Sequence, residues 1–307
     1  MKSTRWLYTT AVSAVILSTS LTWAQGAPQG MGGGTPEITL ETIDLGKGVY
    51  FLKSRSDASF VVGKDGVIVF DDIGSGYGEP IIAEVAKVTK LPIKYLVNTH
   101  FHSDHTGSNE TFGKLGIPIV AQENAAKRLS TETKSTSGRV TPALPEVARP
   151  TITFKDNKTL TIPGVTAEMT FTPQGHTDGD IFIYLKEANV IVAGDLLHTN
   201  EYPYLDEGNG GTLAGNFKAM QAILAKANDD TKIIPGHGLP VSKKEFKAYL
   251  DMMYDTSKKV AALIKQGKSE EEVVAMKLLA DDTSVPPGGP DNRDKYISVT
   301  YKAEAAK

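Results

Sequence analysis

The segment "NTHFHSDHTGSN", Asn98–Asn109, carries three of the chain's six histidines within six residues, with an aspartate among them. It follows "IKYLV" (93–97), an apolar run of strand character. While the chain is still extended, residues two apart point to the same side. His100, His102 and Asp104 therefore share a side, and His105 follows where the backbone begins to turn. Crowding three imidazoles and a carboxylate is costly unless a cation compensates, so the run reads as a metal nest rather than as a generic polar loop.

The other histidines extend the pattern. His176 lies in "PQGHTDGD", His198 in "GDLLHTN" and His237 in "IIPGHGLP". His176 and His237 each follow a strand signal and sit beside glycine, where a loop brings an imidazole close to an ion. Asp195 closes the apolar strand "NVIVAGD", so its carboxylate emerges at the same sheet edge. Five histidines and two aspartates at strand ends can converge on one rim. The chain has no cysteine, so any metal is bound by nitrogen and oxygen alone. Such donors suit zinc, manganese or iron and argue against a closed structural zinc site. Seven donors exceed the needs of one tetrahedral ion and suit two divalent ions with a shared carboxylate. His198 has a second reading as a satisfied polar strand residue. With Tyr202 and Tyr204 of "EYPYLDEGNGG" it is the candidate substrate contact, and Ser103 reads as a turn residue.

Composition bounds the rest. At 307 residues the chain can bury a substantial core, and 40% hydrophobic with 22% charged content is ordinary for a globular protein. A net charge of -3 gives no general attraction to nucleic acid. Lys2 and Arg5 followed by a mildly apolar stretch ending at Ala24 read as a secretory signal (1–24), with Gln25 as the mature start. The expected location is therefore the periplasm or beyond, with no stable membrane anchor after cleavage. Residues 25–37 are a Gly- and Pro-rich linker, 38–285 the expected catalytic domain and 286–307 a C-terminal tail with a candidate last element at "KYISVTYKA".

Short strand signals from residue 48, a helix over "EPIIAEVAKVT", and strands and helices again after a proline-bearing loop at 131–150 suggest two mixed sheets packed face to face with helices outside. Ser269 with Glu272 marks a capping box at "SEEEVV".

In order, "HFHSDH", "GHTDGD", "AGD" and "PGHG" resemble the motifs of the metallo-β-lactamase superfamily, and "VIVFDDIGSG" resembles its first motif. The resemblance spans roughly residues 38 to 265. It implies an α/β fold, the αββα sandwich, with the metal site at one edge of the paired sheets. By matching motif, His100, His102 and His176 hold a first metal, Asp104, His105 and His237 a second, and Asp195 bridges them. Asp72 is implied to orient the ligand loop. The implied ions are two divalent metals, zinc foremost and manganese or iron next.

The expected reaction is hydrolysis of an ester, lactone, thioester or amide in a small-molecule substrate. Water between the ions serves as nucleophile and Asp104 holds its proton. Authentic β-lactamases typically carry cysteine or serine where this chain has Asp195. The arrangement here resembles glyoxalase II and lactonases instead. β-Lactam hydrolysis and an iron-dependent oxidoreductase on the same fold are the alternatives.

Overall fold

Alternating β-branched and aromatic residues between turn signals make the N-terminal half pair as short strands. The computed structural model describes residues 40–135, 138, 140–283, 285 and 291–307; the expected signal and linker lie outside them. Four strands come first, β1 (Glu41–Gly46), β2 (Val49–Lys53), β3 (Ala58–Val62) and β4 (Val67–Phe70). Helix α1 (Gly78–Val88) leads to β5 (Ile93–Val97) and two short helices, α2 (Ser103–Thr106) and α3 (Asn109–Lys114). Next come β6 (Ile119–Gln122), α4 (Glu123–Leu129), a small ribbon of β7 (Thr133–Lys134) and β8 (Val140–Thr141), and β9 (Ile152–Phe154). The second half runs β10 (Asn157–Ile162), β11 (Val165–Phe171), β12 (Ile181–Leu185), β13 (Val190–His198), α5 (Leu213–Lys226), β14 (Lys232–His237) and β15 (Val241–Ser242). It closes with α6 (Lys243–Lys265), α7 (Glu270–Ala275) and α8 (Arg293–Ala305).

Two mixed sheets result. One has the order β1-β2-β3-β4-β5-β6-β9, antiparallel up to β4 and parallel from there on. The other runs β10 to β15 in sequence order, with β13 and β14 its parallel pair. The two-residue period of each strand divides its side chains between two cores. Ile68 and Phe70 of β4 meet Ile183 and Leu185 of β12 between the sheets. Val67 and Val69 face the other way, onto Ile81 and Val85 of α1 and Phe112 of α3. On the second sheet Phe182, Ile191 and Ile233 pack outward against Met220 and Ile223 of α5 and Phe246 of α6. Burying each such side chain stabilises the fold by about 1.5–3 kcal/mol. The layers are helix, sheet, sheet, helix, as the motif resemblance implies.

Three expectations gain detail or change. The Ser269–Glu272 capping box opens α7, with both reciprocal bonds formed. The loop at 131–150 carries the β7–β8 ribbon and a single 3₁₀ turn at Glu146–Ala148. The C-terminal region is not a tail: residues 293–305 form a helix whose Tyr296, Ile297 and Thr300 are buried, within the same compact unit as the sheets.

Candidate metal centre

Each sheet ends its central strands at the same rim. From the first sheet, β4 delivers Asp71 and β5 delivers Thr99 and His100, with His102, Asp104 and His105 on the turn into α2. From the second come His176 after β11, Asp195 and His198 within β13, and His237 at the end of β14. Close backbone approach makes the convergence possible. A Cβ on Gly194, whose φ is +54°, would stand 2.6 Å from Thr99 Oγ1, and one on Gly236 would stand 1.9 Å from Asp195 Oδ1. Only glycine allows the two sheet edges and the Asp195 carboxylate to fit.

The donor atoms gather around Asp195. Its Oδ1 lies 3.0 Å from His105 Nε2, and its Oδ2 lies 3.4 Å from both His176 Nε2 and His237 Nε2 and 3.7 Å from His100 Nε2. Asp104 Oδ2 stands 3.4 Å from His237 Nε2 and 3.9 Å from His105 Nε2. Four groups of donors lie within metal-binding reach, among them His100, His102, His176 and Asp195, and Asp104, His105 and His237. The structure thus brings together all seven residues that the motifs single out.

The outward nitrogens are fixed. His105 Nδ1 is 3.0 Å from Asp71 Oδ2, His102 Nε2 2.9 Å from Asp206 Oδ2, His176 Nδ1 2.7 Å from the Tyr204 carbonyl, and His237 Nδ1 3.1 Å from the Arg55 carbonyl. Each partner is an acceptor, so the outward nitrogen carries a proton and the inward one is the atom left to meet an ion. His100 is set by a relay. The Thr99 hydroxyl donates to Asp71 Oδ2 at 2.7 Å, which leaves Thr99 Oγ1 to accept from His100 Nδ1 at 3.1 Å.

The aspartate doublet divides its contacts between the ligands and the ligand loop. Asp71 is the residue that touches the ligands, holding His105 directly and His100 through Thr99. Asp72 accepts from the Ser108 backbone N–H and its own N–H donates to the His105 carbonyl, so it braces the loop backbone instead. Asp71 adopts a positive φ of 55°, a turn that swings its carboxylate back under the nest. The doublet itself is visible in the sequence, but this backbone turn is not.

Electrostatics describe a site built for cations. Burial, helped by the charge on His105, pushes His100 well below the usual imidazole range, and burial foremost takes His176 down to about 3. Burial opposes charge on Asp195 as well, yet the surrounding imidazoles, His105 first, hold its carboxyl well below the carboxylate range. Burial likewise opposes protonation of His237, but Asp195 and the Asp104 hydrogen bond raise it to about 10. His105 is raised in the same way by Asp195 and Asp71. In the metal-free protein, protons thus stand where cations belong. His100 Nε2 and Asp195 Oδ1 are buried without hydrogen-bond partners among the described residues, as donors reserved for an ion are. Nitrogen and carboxylate oxygen without thiolate fit hard to borderline divalent metals.

A cavity of about 620 Å³ opens over the cluster. His102, Asp104, Asp195 and His237 line it from the nest, Thr133 and Thr141 from the ribbon, and Lys295, Val299 and Lys302 from α8. Phe101, Tyr204 and Leu205 supply apolar surface. Arg128 stacks 5.3 Å over the Phe101 ring while donating to both Asp178 oxygens through Nε and Nη2, which ties the "GHTDGD" loop to α4.

Of the expected substrate contacts, Tyr204 and His198 line the cavity. Tyr202 does not: it is buried, its ring stacks on Tyr296 and its hydroxyl donates to Asp282 at 2.6 Å. Two residues that sequence reasoning missed, Asp206 beside His102 and Glu201 beside His198, sit in the loop after β13 with no spacing signal to mark them.

A sandwich of two mixed sheets with a nitrogen- and oxygen-donor nest at its rim defines a metal-dependent hydrolase. The sequence profile of the metallo-beta-lactamase superfamily matches residues 53–237, and the chain belongs to that superfamily. It is similar to the probable metallo-hydrolase YqgX of Bacillus subtilis, at 27% identity over 60% of this chain and 85% of that protein. It is also similar to a hydroxyacylglutathione hydrolase of Brucella anthropi, at 26% identity over 64% of this chain and 66% of that one. Among solved structures, a metallo-beta-lactamase from Pontibacter korlensis shares the fold with a TM-score of 0.58 and 22% identity, covering 69% of this chain and 98% of the other.

Proposed function

We propose that the protein is an exported dinuclear metallohydrolase that cleaves an ester, lactone, thioester or amide bond in a small molecule. The observation that carries this reading is the convergence of seven donors at one rim with Asp195 at their centre, each ligand imidazole held by an acceptor behind it. His100, His102 and His176 form the first site, with zinc as its expected ion, and Asp104, His105 and His237 the second, with Asp195 between them. Two divalent ions bound there lower the pKa of a shared water toward neutrality and polarise the substrate carbonyl.

The chain's own residues do the rest. Asp104 Oδ2 is poised beside His237 Nε2 and its residue borders the cavity, so this carboxylate takes the proton released at the reacting centre. Phe101, Tyr204 and Leu205 hold the apolar part of a substrate against the nest and keep bulk water from it. A carboxylate at position 195, where authentic β-lactamases typically carry cysteine or serine, favours the hydroxyacylglutathione hydrolase and lactonase type of substrate over a β-lactam. The N-terminal signal reading supports export with cleavage before Gln25.

The test is a panel of lactones, thioesters, esters and β-lactams assayed with metal-reconstituted protein. The expected result is faster turnover of an ester, lactone or thioester than of any β-lactam. His176→Ala and Asp104→Ala should each lose bound metal and at least a hundredfold in rate, roughly the scale of a lost proton-transfer group. If both variants keep full metal content and full rate, the reading is wrong.

A further inference from the structure

The sixth histidine is built like the other five. His198 ends β13 and is only 2% exposed. Its Nε2 lies 3.4 Å from Asp195 Oδ2, the same distance as the Nε2 atoms of His176 and His237. Glu201 Oε1 stands 3.2 Å from its Nδ1, in the place that Asp71 and Asp206 take behind His105 and His102. Neither ring nitrogen of His198 completes a hydrogen bond among the described residues, although both are buried. A buried imidazole with no proton partner on its inner side is an unexplained cost in a site with ordinary hydrogen bonding.

The backbone is bent to place it there. Residues three apart on a regular strand face opposite ways, so Asp195 and His198 should not share a side. The pairing of β13 with β14 breaks register between Gly194 and His198, and His198 then pairs directly with His237. Their rings lie 4.9 Å apart, and the donor atoms of Asp195, His198 and His237 are all within 4.8 Å of one another. The strand irregularity therefore turns a sixth imidazole into the nest. Strand bulges commonly serve to re-aim a side chain at a site.

We infer that His198 is an eighth protein ligand, binding the second metal through Nε2 alongside His237 and the bridging Asp195. The inference rests on the dinuclear reading above and extends it. The second site then has five protein donors, namely Asp104, His105, His237, Asp195 and His198. Five protein donors exceed what a tetrahedral zinc takes, so an ion held there would more readily be manganese, iron or cobalt. The first site, with three imidazoles and the bridge, keeps the lower coordination that zinc takes.

The experiment uses the full chain loaded with two equivalents of cobalt(II) and examined by paramagnetic proton NMR. Each imidazole bound to cobalt contributes one strongly shifted ring N–H signal, so six such signals are expected. His198→Gln should lose one of the six. It should also weaken the second cobalt equivalent at least tenfold in a chelator competition while leaving the first in place. Five shifted signals in the unmodified protein, with both equivalents bound as tightly in His198→Gln, would overturn the assignment and leave the seven-ligand site standing. Failure of the unmodified protein to retain cobalt at all would overturn this inference together with the dinuclear reading.

Discussion

At the scale of single residues, the acceptor behind a ligand matters as much as the ligand. Asp71 Oδ2 receives two donors, the Thr99 hydroxyl and His105 Nδ1. Asp71→Asn would replace one of its two oxygens by an amide N–H₂, so either the Thr99 N–H on Oδ1 or both donors on Oδ2, His105 Nδ1 among them, lose their acceptor. Metal affinity should fall about 10–100-fold, measured by chelator competition. Asp72→Asn should do much less, because an amide oxygen can still accept from Ser108 N–H, and burial already pushes the Asp72 carboxyl well above its usual range and toward the neutral form. Equal losses in the two variants would refute this division between the neighbours. The protons held by the nest make a second prediction. Metal binding must displace the proton on His237, which burial disfavours but Asp195 and Asp104 raise to about 10. Apparent affinity should therefore climb as pH rises toward 10, and calorimetry near neutral pH in buffers of differing ionisation heat should register proton release on binding. The same group works the other way on the metal-free fold. Its stabilising contribution is full below the ordinary value of 6.5 and lost as pH rises through about 10.

At the scale of elements, α8 is tied to the loop that follows β13. Asn292, just ahead of the helix, accepts from the Tyr202 N–H at 2.9 Å and donates to the Tyr202 carbonyl at 2.7 Å, while Tyr296 stacks on the Tyr202 ring. That loop also carries Glu201, Tyr204 and Asp206. Asn292→Ala should raise KM several-fold and cost about 1–3 kcal/mol of stability, since two backbone groups lose their partner, with metal content unchanged. An unaltered KM alongside normal metal content would show that α8 does not set the loop. This helix was also the element least legible in the sequence. Ile297, Val299 and Thr300 are β-branched and favour strands, and the Pro- and Gly-rich run before it reads as a tail. One face is buried on Tyr296, Ile297 and Thr300 while Lys295, Val299 and Lys302 border the cavity, so no single apolar stripe announces it. By contrast α1 carries its buried residues at the helical spacing that "EPIIAEVAKVT" announces. The seven-donor set was legible for a different reason: strand ends deliver residues to a sheet rim, and that geometry follows from local sequence. What supports those donors comes from backbone turns and long-range loops, which local sequence does not encode.

At the scale of the whole molecule, the nest is a clasp between two sheets. Asp104 and three imidazoles come from the first sheet's rim, and Asp195 with His176 and His237 from the second's. The sheets also meet through side-chain packing such as that of Ile68 and Phe70 with Ile183 and Leu185, and through backbone hydrogen bonds such as Ile181 N–H to the Thr99 carbonyl and Asp57 N–H to the Gly236 carbonyl. An unfolded chain scatters the donors over more than a hundred residues, so metal binds the native state far better than the unfolded one. Linkage then stabilises the fold by about 4 kcal/mol per site when free metal is a thousandfold above Kd. For a unit of this size each kcal/mol moves Tm by about 2–4 °C, so one occupied site should raise Tm by roughly 8–16 °C. Because the donors come from both sheets, chelation should lower the melting of the whole sandwich as one transition, followed in parallel by far-ultraviolet circular dichroism and tyrosine fluorescence. A loss of local signal at the rim with the main transition unmoved would mean that packing and backbone hydrogen bonds join the sheets without help from metal and that the metals serve only the chemistry.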